Sequence, residues 1–252
     1  MIEVTRQGGV AVMTLAHGKA NALDIELCEA IAAEFEAMRD SAATGAVVIT
    51  GRGHIFSAGV DLLRLSEGGA AYVRRFLPAL RRLYDTVFFF PKPVVAAVNG
   101  HAIAGGCVLA CCADRRIAAR DGGRIGVTEL LVGVPFPPLA FEVMRFATSP
   151  TFLADTILSG ATYPSEVALA RGLVDEVVAQ AQLVPNAIAA AEQLAALSPQ
   201  AFAMSKRQLR QAAAERLERL GRQADAEAEA IWAAPATLER IRDYVVRTLK
   251  KG

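Results

Sequence analysis

The sequence predicts an α/β fold that passes into a helical C-terminal region. Three observations carry that expectation. Short β-branched runs of strand length, among them Gly45–Thr50 and Pro93–Val98, recur between segments of helical periodicity. The stretch Asn99–Asp114, NGHAIAGGCVLACCAD, leads from the second of these runs into a glycine pair and then a string of small apolar residues, so the chain reads strand, glycine turn, helix. From about Pro185 onward the composition turns strongly helical, with charges dominating between Arg210 and Glu229.

Taken in order, Ile2–Arg6 and Val10–Leu15 alternate at period two across Gly8-Gly9 and read as a hairpin. A turn cluster, Ala16–Leu23, precedes Asp24, an N-cap for a helix with Ile25, Cys28, Ile31, Ala32 and Phe35 on one face. Gly45–Thr50 is a core strand, and the loop Gly51–His54 leads to Phe56–Leu62. Asp61 reads as the cap of the next helix, and Ala70–Thr86 is helical with Val73, Phe76, Leu77, Leu80, Leu83 and Tyr84 in register. Asp114–Ala119 reads as another short strand, and Arg124–Glu129 carries the chain on into the next unit; Ser165–Gly172 is a helix stopped by glycine, and Leu173–Val178 a strand after it. In the C-terminal region, pairs such as Glu215 and Arg219 stand four apart on a solvated face, while Ile231 and Trp232 belong to an apolar one.

At 252 residues the chain suffices for one large domain or for a domain with an appendage. Hydrophobic residues make up 53% and the net charge is +1, which gives no support to a nucleic-acid or anionic-membrane partner. Cys28, Cys107, Cys111 and Cys112 show no secreted-type framework and read as buried thiols. His17, His54 and His101 are not spaced to help bind a metal, so none is expected. The first residues resemble neither a signal nor a transit peptide, and no run reaches the ~18 apolar residues of a membrane span. Cytoplasmic residence is the expectation.

The chemistry starts at Gly105-Gly106. The first turn of a helix carries backbone N–H groups without intrahelical partners, and the dipole adds partial positive charge there. Glycines let another group approach that backbone closely. The result is an anion-binding corner without a charged side chain. Neither Gly-x-x-x-x-Gly-Lys-Ser/Thr nor Gly-x-Gly-x-x-Gly is present, which turns attention from phosphate to an oxygen that becomes negative during a reaction. A second donor is sought in FSAGVDL, Phe56–Leu62, just after the strand Ala46–Gly51.

FSAGVDL followed by KPVVAAVNGHAIAGGCVLACCADRRIA resembles the enoyl-CoA hydratase/isomerase (crotonase) family. The likeness runs from the N-terminus to the C-terminal helical region, where it is one of general character. It implies a crotonase-like spiral of ββα units with a C-terminal helical appendage, divided into a core of residues 1–195 holding the acyl-CoA site and a helical region of residues 196–252. It also implies an acyl-CoA thioester substrate, no separate cofactor because coenzyme A is part of that substrate, and a homotrimer or dimer of trimers. Carried over by position, the backbone N–H groups of Ala58 and Gly105 form the oxyanion hole. Substrate contacts fall on Ala20, Ser57, Asp61, Leu62, Gly106, Val108 and Phe136. Lys19 is either a phosphate contact or a solvated lysine on a turn, and Phe88-Phe89-Phe90 either core or acyl-pocket wall.

The family draws its carboxylates from two positions. The first is occupied here by Val108, which accepts no proton; the second is Glu129 in GVTELLVG. A single glutamate resembles the isomerases that shift a double bond between positions 3 and 2 of an enoyl-CoA, since no water is added. The alternatives are an enoyl-CoA hydratase or another crotonase-type enzyme and, in a different class, a non-catalytic acyl-CoA-binding or scaffold protein. A serine hydrolase is disfavoured, because no serine follows the nucleophile-elbow pattern.

Overall fold

The computed structural model describes residues 1–248. β1 (Ile2–Gln7), β2 (Val10–Leu15), β3 (Ala46–Gly51), β5 (Val94–Val98), β7 (Arg115–Ala119) and β10 (Glu176–Val178) lie side by side in that order as a six-stranded sheet. Its pairings are parallel except for the β1–β2 hairpin, which sets Ile2 opposite Leu15. β4 (Ile55–Ser57), β6 (His101–Ile103), β8 (Ile125–Gly126) and β9 (Thr162–Tyr163) form a second, four-stranded sheet. The helices are α1 (Ile25–Arg39), α2 (Leu62–Phe88), α3 (Gly105–Cys111), α4 (Glu129–Val132), α5 (Pro138–Ala147), α6 (Pro150–Ser159), α7 (Ser165–Ala170), α8 (Leu183–Ala195), α9 (Pro199–Trp232) and α10 (Pro235–Thr248). Three times the chain runs a strand of the first sheet, a strand of the second, then a helix: β3–β4–α2, β5–β6–α3 and β7–β8–α4. This is the spiral of ββα units that the sequence leads one to expect.

β3 is buried along its whole length because both faces of the sheet are covered. Ala46 and Val48 face a layer closed by Leu183, Ala187 and Ala191 of α8. Val47 and Ile49 face the main core with Phe35, Leu83 and Leu109. The expected caps are present: the Asp24 carboxylate accepts the Leu27 N–H at 2.8 Å, and the Asp61 carboxylate accepts the Arg64 N–H at 3.0 Å. α2 is broken at Gly69, whose φ of 57° leaves the helical region, so the regular helix resumes at Ala70 as the periodicity predicts.

Some local expectations are revised. In 124–129 only Ile125 and Gly126 form a strand, β8, and Glu129 opens α4. The strand in 173–178 shortens to β10. α5 and α6 have no counterpart in the sequence reading. Each begins on a proline, at a position whose N–H has no intrahelical partner, so residues that read as breakers serve as starters.

The C-terminal helices pack on the chain's own core. Asp114, at the start of β7, accepts from Lys206 Nζ at 2.6 Å and from Arg210 Nη2 at 2.8 Å. Arg216 of α9 pairs with Glu142 of α5 at 2.7 Å, and the Trp232 indole N–H donates to the Pro135 carbonyl at 2.9 Å. No helix among the described residues is long and apolar enough to cross a membrane.

Candidate active site

A cavity of about 390 Å³ opens where the 58–62 loop, the start of α3 and the start of α4 converge. α2, α5, α9 and α10 close its other sides.

Glu129 is 8% exposed and lines this cavity. Its Oε2 is buried and has no hydrogen-bond partner. Burial raises the carboxyl from 4.5 to about 7; the backbone N–H groups of Glu129 and Thr128 pull it down only in part. The acidic residues on the cavity wall are Asp61 and Glu129, and Asp61 is engaged in capping Arg64. Glu129 is therefore the buried carboxylate of the site, with one oxygen left without a partner.

The backbone donors follow from one isolated parallel bridge between Leu23 and Val60. The Leu23 N–H donates to the Gly59 carbonyl at 2.7 Å, and the Asp61 N–H donates to the Leu23 carbonyl at 3.0 Å. In parallel pairing the residue between those two bonds turns its own N–H to the opposite side. Here that residue is Val60, and its opposite side is the cavity wall. The Ala58 N–H, the donor expected from the sequence, is spent on the Ala20 carbonyl at 2.9 Å. The usable donor of this loop is thus displaced from Ala58 to Val60.

Gly59 brings the loop against α3. It has a φ of 83°, and a Cβ there would stand 2.6 Å from the Ile103 carbonyl oxygen and 3.1 Å from the Gly105 nitrogen. The Gly105 N–H opens α3 with no side chain capping it. Before it, Ala104 holds a φ of 50° and a ψ of −125°, a strained backbone for a residue with a Cβ. That strain lies just before the uncapped start of α3, at a residue on the cavity wall.

A side chain at residue 105 would also crowd its neighbours within the protein. A Cβ there would meet the Tyr84 hydroxyl oxygen at 2.8 Å and the Leu23 side chain at 3.1 Å. Tyr84, buried on α2, donates its hydroxyl to the Gly105 carbonyl at 3.0 Å. Burial pushes the Tyr84 phenol well above its ordinary value, so it stays a neutral donor.

Of the other expected contacts, Ala20, Asp61 and Leu62 line the cavity, as do Ala58 and Gly105. Ser57 does not; it is fully buried, donating to the Asn21 carbonyl at 2.7 Å and accepting from the Gly59 N–H at 3.2 Å. Gly106 packs against the Ser57 backbone, where a Cβ would lie 2.3 Å from its carbonyl oxygen. Val108 is fully buried in the core and is not part of the wall. Phe136 faces a separate groove, edge-on to Phe141 with ring centroids 6.4 Å apart. Lys19 is exposed and off the wall, next to Ala20. The aromatic rings of Phe88 and Phe90 are core, not pocket. The sequence reading missed Trp232 and Tyr244 of the C-terminal helices, because nothing in their local spacing ties them to Glu129. Among the described residues no group of three or more His, Cys, Asp or Glu side chains is arranged to hold a metal ion.

The fold is a spiral of ββα units whose cavity places one buried carboxylate near the uncapped start of α3, and comparison with known proteins gives the family. Residues 5–240 match the family model for enoyl-CoA hydratase/isomerase, and the chain belongs to that family, whose members are enzymes. Carnitinyl-CoA dehydratase of Shigella flexneri is 35% identical over 208 residues, covering 81% of this chain and 78% of the relative. The crystal structure of human mitochondrial delta3-delta2-enoyl-CoA isomerase superposes with a TM-score of 0.94 at 25% identity, covering 99% of this chain and 98% of that one. That of an enoyl-CoA hydratase from Mycobacterium ulcerans superposes with a TM-score of 0.83 at 30% identity, covering 90% and 98%.

Proposed function

We propose that the protein shifts the double bond of an enoyl-CoA from position 3 to position 2 by single-glutamate proton transfer. The observation that carries this reading is the one buried carboxylate, Glu129, with an unpartnered oxygen on the wall of a largely apolar cavity. In this mechanism Glu129 takes a proton from C2 of the 3-enoyl thioester. The C–H electrons form a C1–C2 double bond, and the thioester oxygen becomes negative. That oxygen sits between the N–H groups of Val60 and Gly105. Collapse of the dienolate forms the C2–C3 double bond, and Glu129 returns the proton to C4. No water, metal or redox partner enters the balance. A carboxyl near 7 is matched to both accepting and returning the proton. Lys19, beside the mouth residue Ala20, is offered as a contact for a coenzyme A phosphate, and the assembly as a homotrimer or dimer of trimers.

A second reading, hydration or dehydration, draws on the likeness to carnitinyl-CoA dehydratase. Activating a water between two carboxylates needs a second free one, and Asp61 is held by its cap. The test compares two initial rates on the wild-type protein: appearance of the conjugated thioester from 3-enoyl-CoA, and its loss on hydration of 2-enoyl-CoA. Isomerisation should be the faster by a wide margin. Hydration at an equal or greater rate would overturn the isomerase reading.

A further inference from the structure

We propose that Trp232 is the end wall of the acyl cavity and sets the longest acyl chain the site accepts. The proposal rests on the acyl-CoA reading above and adds to it a limit on the substrate.

The cavity is lined by exposed residues on one side and by buried ones on another. Leu63, 42% exposed, and Ala58 mark the mouth. Leu80, Val134, Ala140 and Trp232 are buried and mark the interior. Beyond them lies a second hollow of about 400 Å³, walled by Phe136, Phe141, Leu217, Leu220, Ala228 and Ile231. Neighbouring residues of the same segments line both hollows. In the 134–141 segment Val134, Pro137 and Ala140 face the first cavity, while Pro135, Phe136, Pro138 and Phe141 face the second. The last turn of α9 divides in the same way, with Trp232 on the first cavity and Ala228 and Ile231 on the second.

Trp232 ties the two parts of this partition together. Its indole N–H donates to the Pro135 carbonyl at 2.9 Å, so the ring's one polar atom is satisfied inside the wall. What remains toward the cavity is rigid apolar surface. An apolar chain entering past Glu129 runs along Leu80 and Ala140 and stops at the indole.

Trp232 is also the single tryptophan of the chain, so its emission reports on the wall directly. The wild-type protein is titrated with free coenzyme A and with saturated acyl-CoA thioesters from acetyl to hexadecanoyl, with binding followed in parallel by calorimetry. Emission should match the coenzyme A baseline for the shortest chains and change abruptly once a chain reaches the wall. Emission that tracks binding equally at every chain length, or never responds while calorimetry records binding, overturns the proposal. Kinetics on graded 3-enoyl-CoA thioesters give the second readout. Trp232→Ala should raise the long-to-short ratio of kcat/KM by roughly tenfold or more, the discrimination that methylenes command in an apolar pocket. Ala140→Leu, which adds bulk on the cavity face of the partition, should lower that ratio comparably and keeps the question decidable if the alanine variant fails to fold. Unchanged ratios in a folded variant overturn the proposal. Absence of turnover with every 3-enoyl thioester would sink the isomerase reading alone, since the emission titration still decides the wall.

Discussion

Replacing Glu129 by glutamine tests whether the site trades stability for reactivity. Raising the carboxyl from 4.5 to about 7 corresponds to roughly 3 kcal/mol of penalty on the ionised form. The sign follows from linkage. Below the ordinary carboxylate range the group is neutral in both folded and unfolded chains and costs nothing. As pH rises from 4.5 to about 7 the unfolded chain ionises first, so the folded state loses stability. Above 7 the loss is complete. Glutamine carries no charge and escapes it, but its buried amide lacks an assured partner, which takes back about 1–2 kcal/mol. The net expectation at pH 8 is a gain of about 1–2 kcal/mol, read as a rise in Tm of about 2–8 °C for a chain of this size. At pH 5 the gain should nearly vanish or reverse. The same substitution should lower turnover by about 10²–10⁴-fold with acyl-CoA binding little changed. The assays are thermal unfolding at the two pH values and the absorbance of conjugated product. A glutamine variant no better stabilised at pH 8 than at pH 5 would refute the strained carboxylate, and turnover within threefold of wild type would remove Glu129 from the mechanism.

Other substitutions probe separate parts of the argument. Val60→Pro removes the free N–H of the loop and should cost about 10²–10³ in kcat; unchanged kcat in a folded variant would displace the oxyanion hole. In wild type, kcat/KM should rise as pH approaches about 7 and level off above it, as Glu129 ionises; a flat profile from pH 5 to 8 would argue against a glutamate base. Gly105→Ala drives a Cβ to within 2.8 Å of the Tyr84 hydroxyl, so adding Tyr84→Phe should recover part of the lost stability, and a double-mutant cycle with no coupling would reject that contact. Asp114→Asn leaves the buried Lys206 and Arg210 without their counterion and should cost about 3–5 kcal/mol in denaturant unfolding.

The order of elements was legible in the sequence because each depends on neighbours in the chain. Period-two alternation gives β1 and β2, an unbroken β-branched run gives β3, side-chain caps at Asp24 and Asp61 open α1 and α2, and the glycine pair at 105–106 marks the start of α3. Glu129 was singled out through the family resemblance, and the fold places it buried on the cavity wall. The tertiary structure decided which peptide group is free. Ala58 and Val60 are two residues apart in one loop, and only the Ala20 carbonyl on one side and Leu23 on the other make the first a structural bond and the second an open donor. It also set Tyr84, a residue of a distant helix, against residue 105, where a Cβ would crowd its hydroxyl. Phe136, Ser57 and Val108 left the expected site for the same reason: a side chain's residue type is local, but the direction it faces is set by what packs against it. Trp232 joined the wall only because α9 folds back across α5, tied by Asp114 and Glu142. Spacing along the chain carries helix and strand periods; contacts between residues about a hundred positions apart carry none, and those contacts shape the buried side of this cavity.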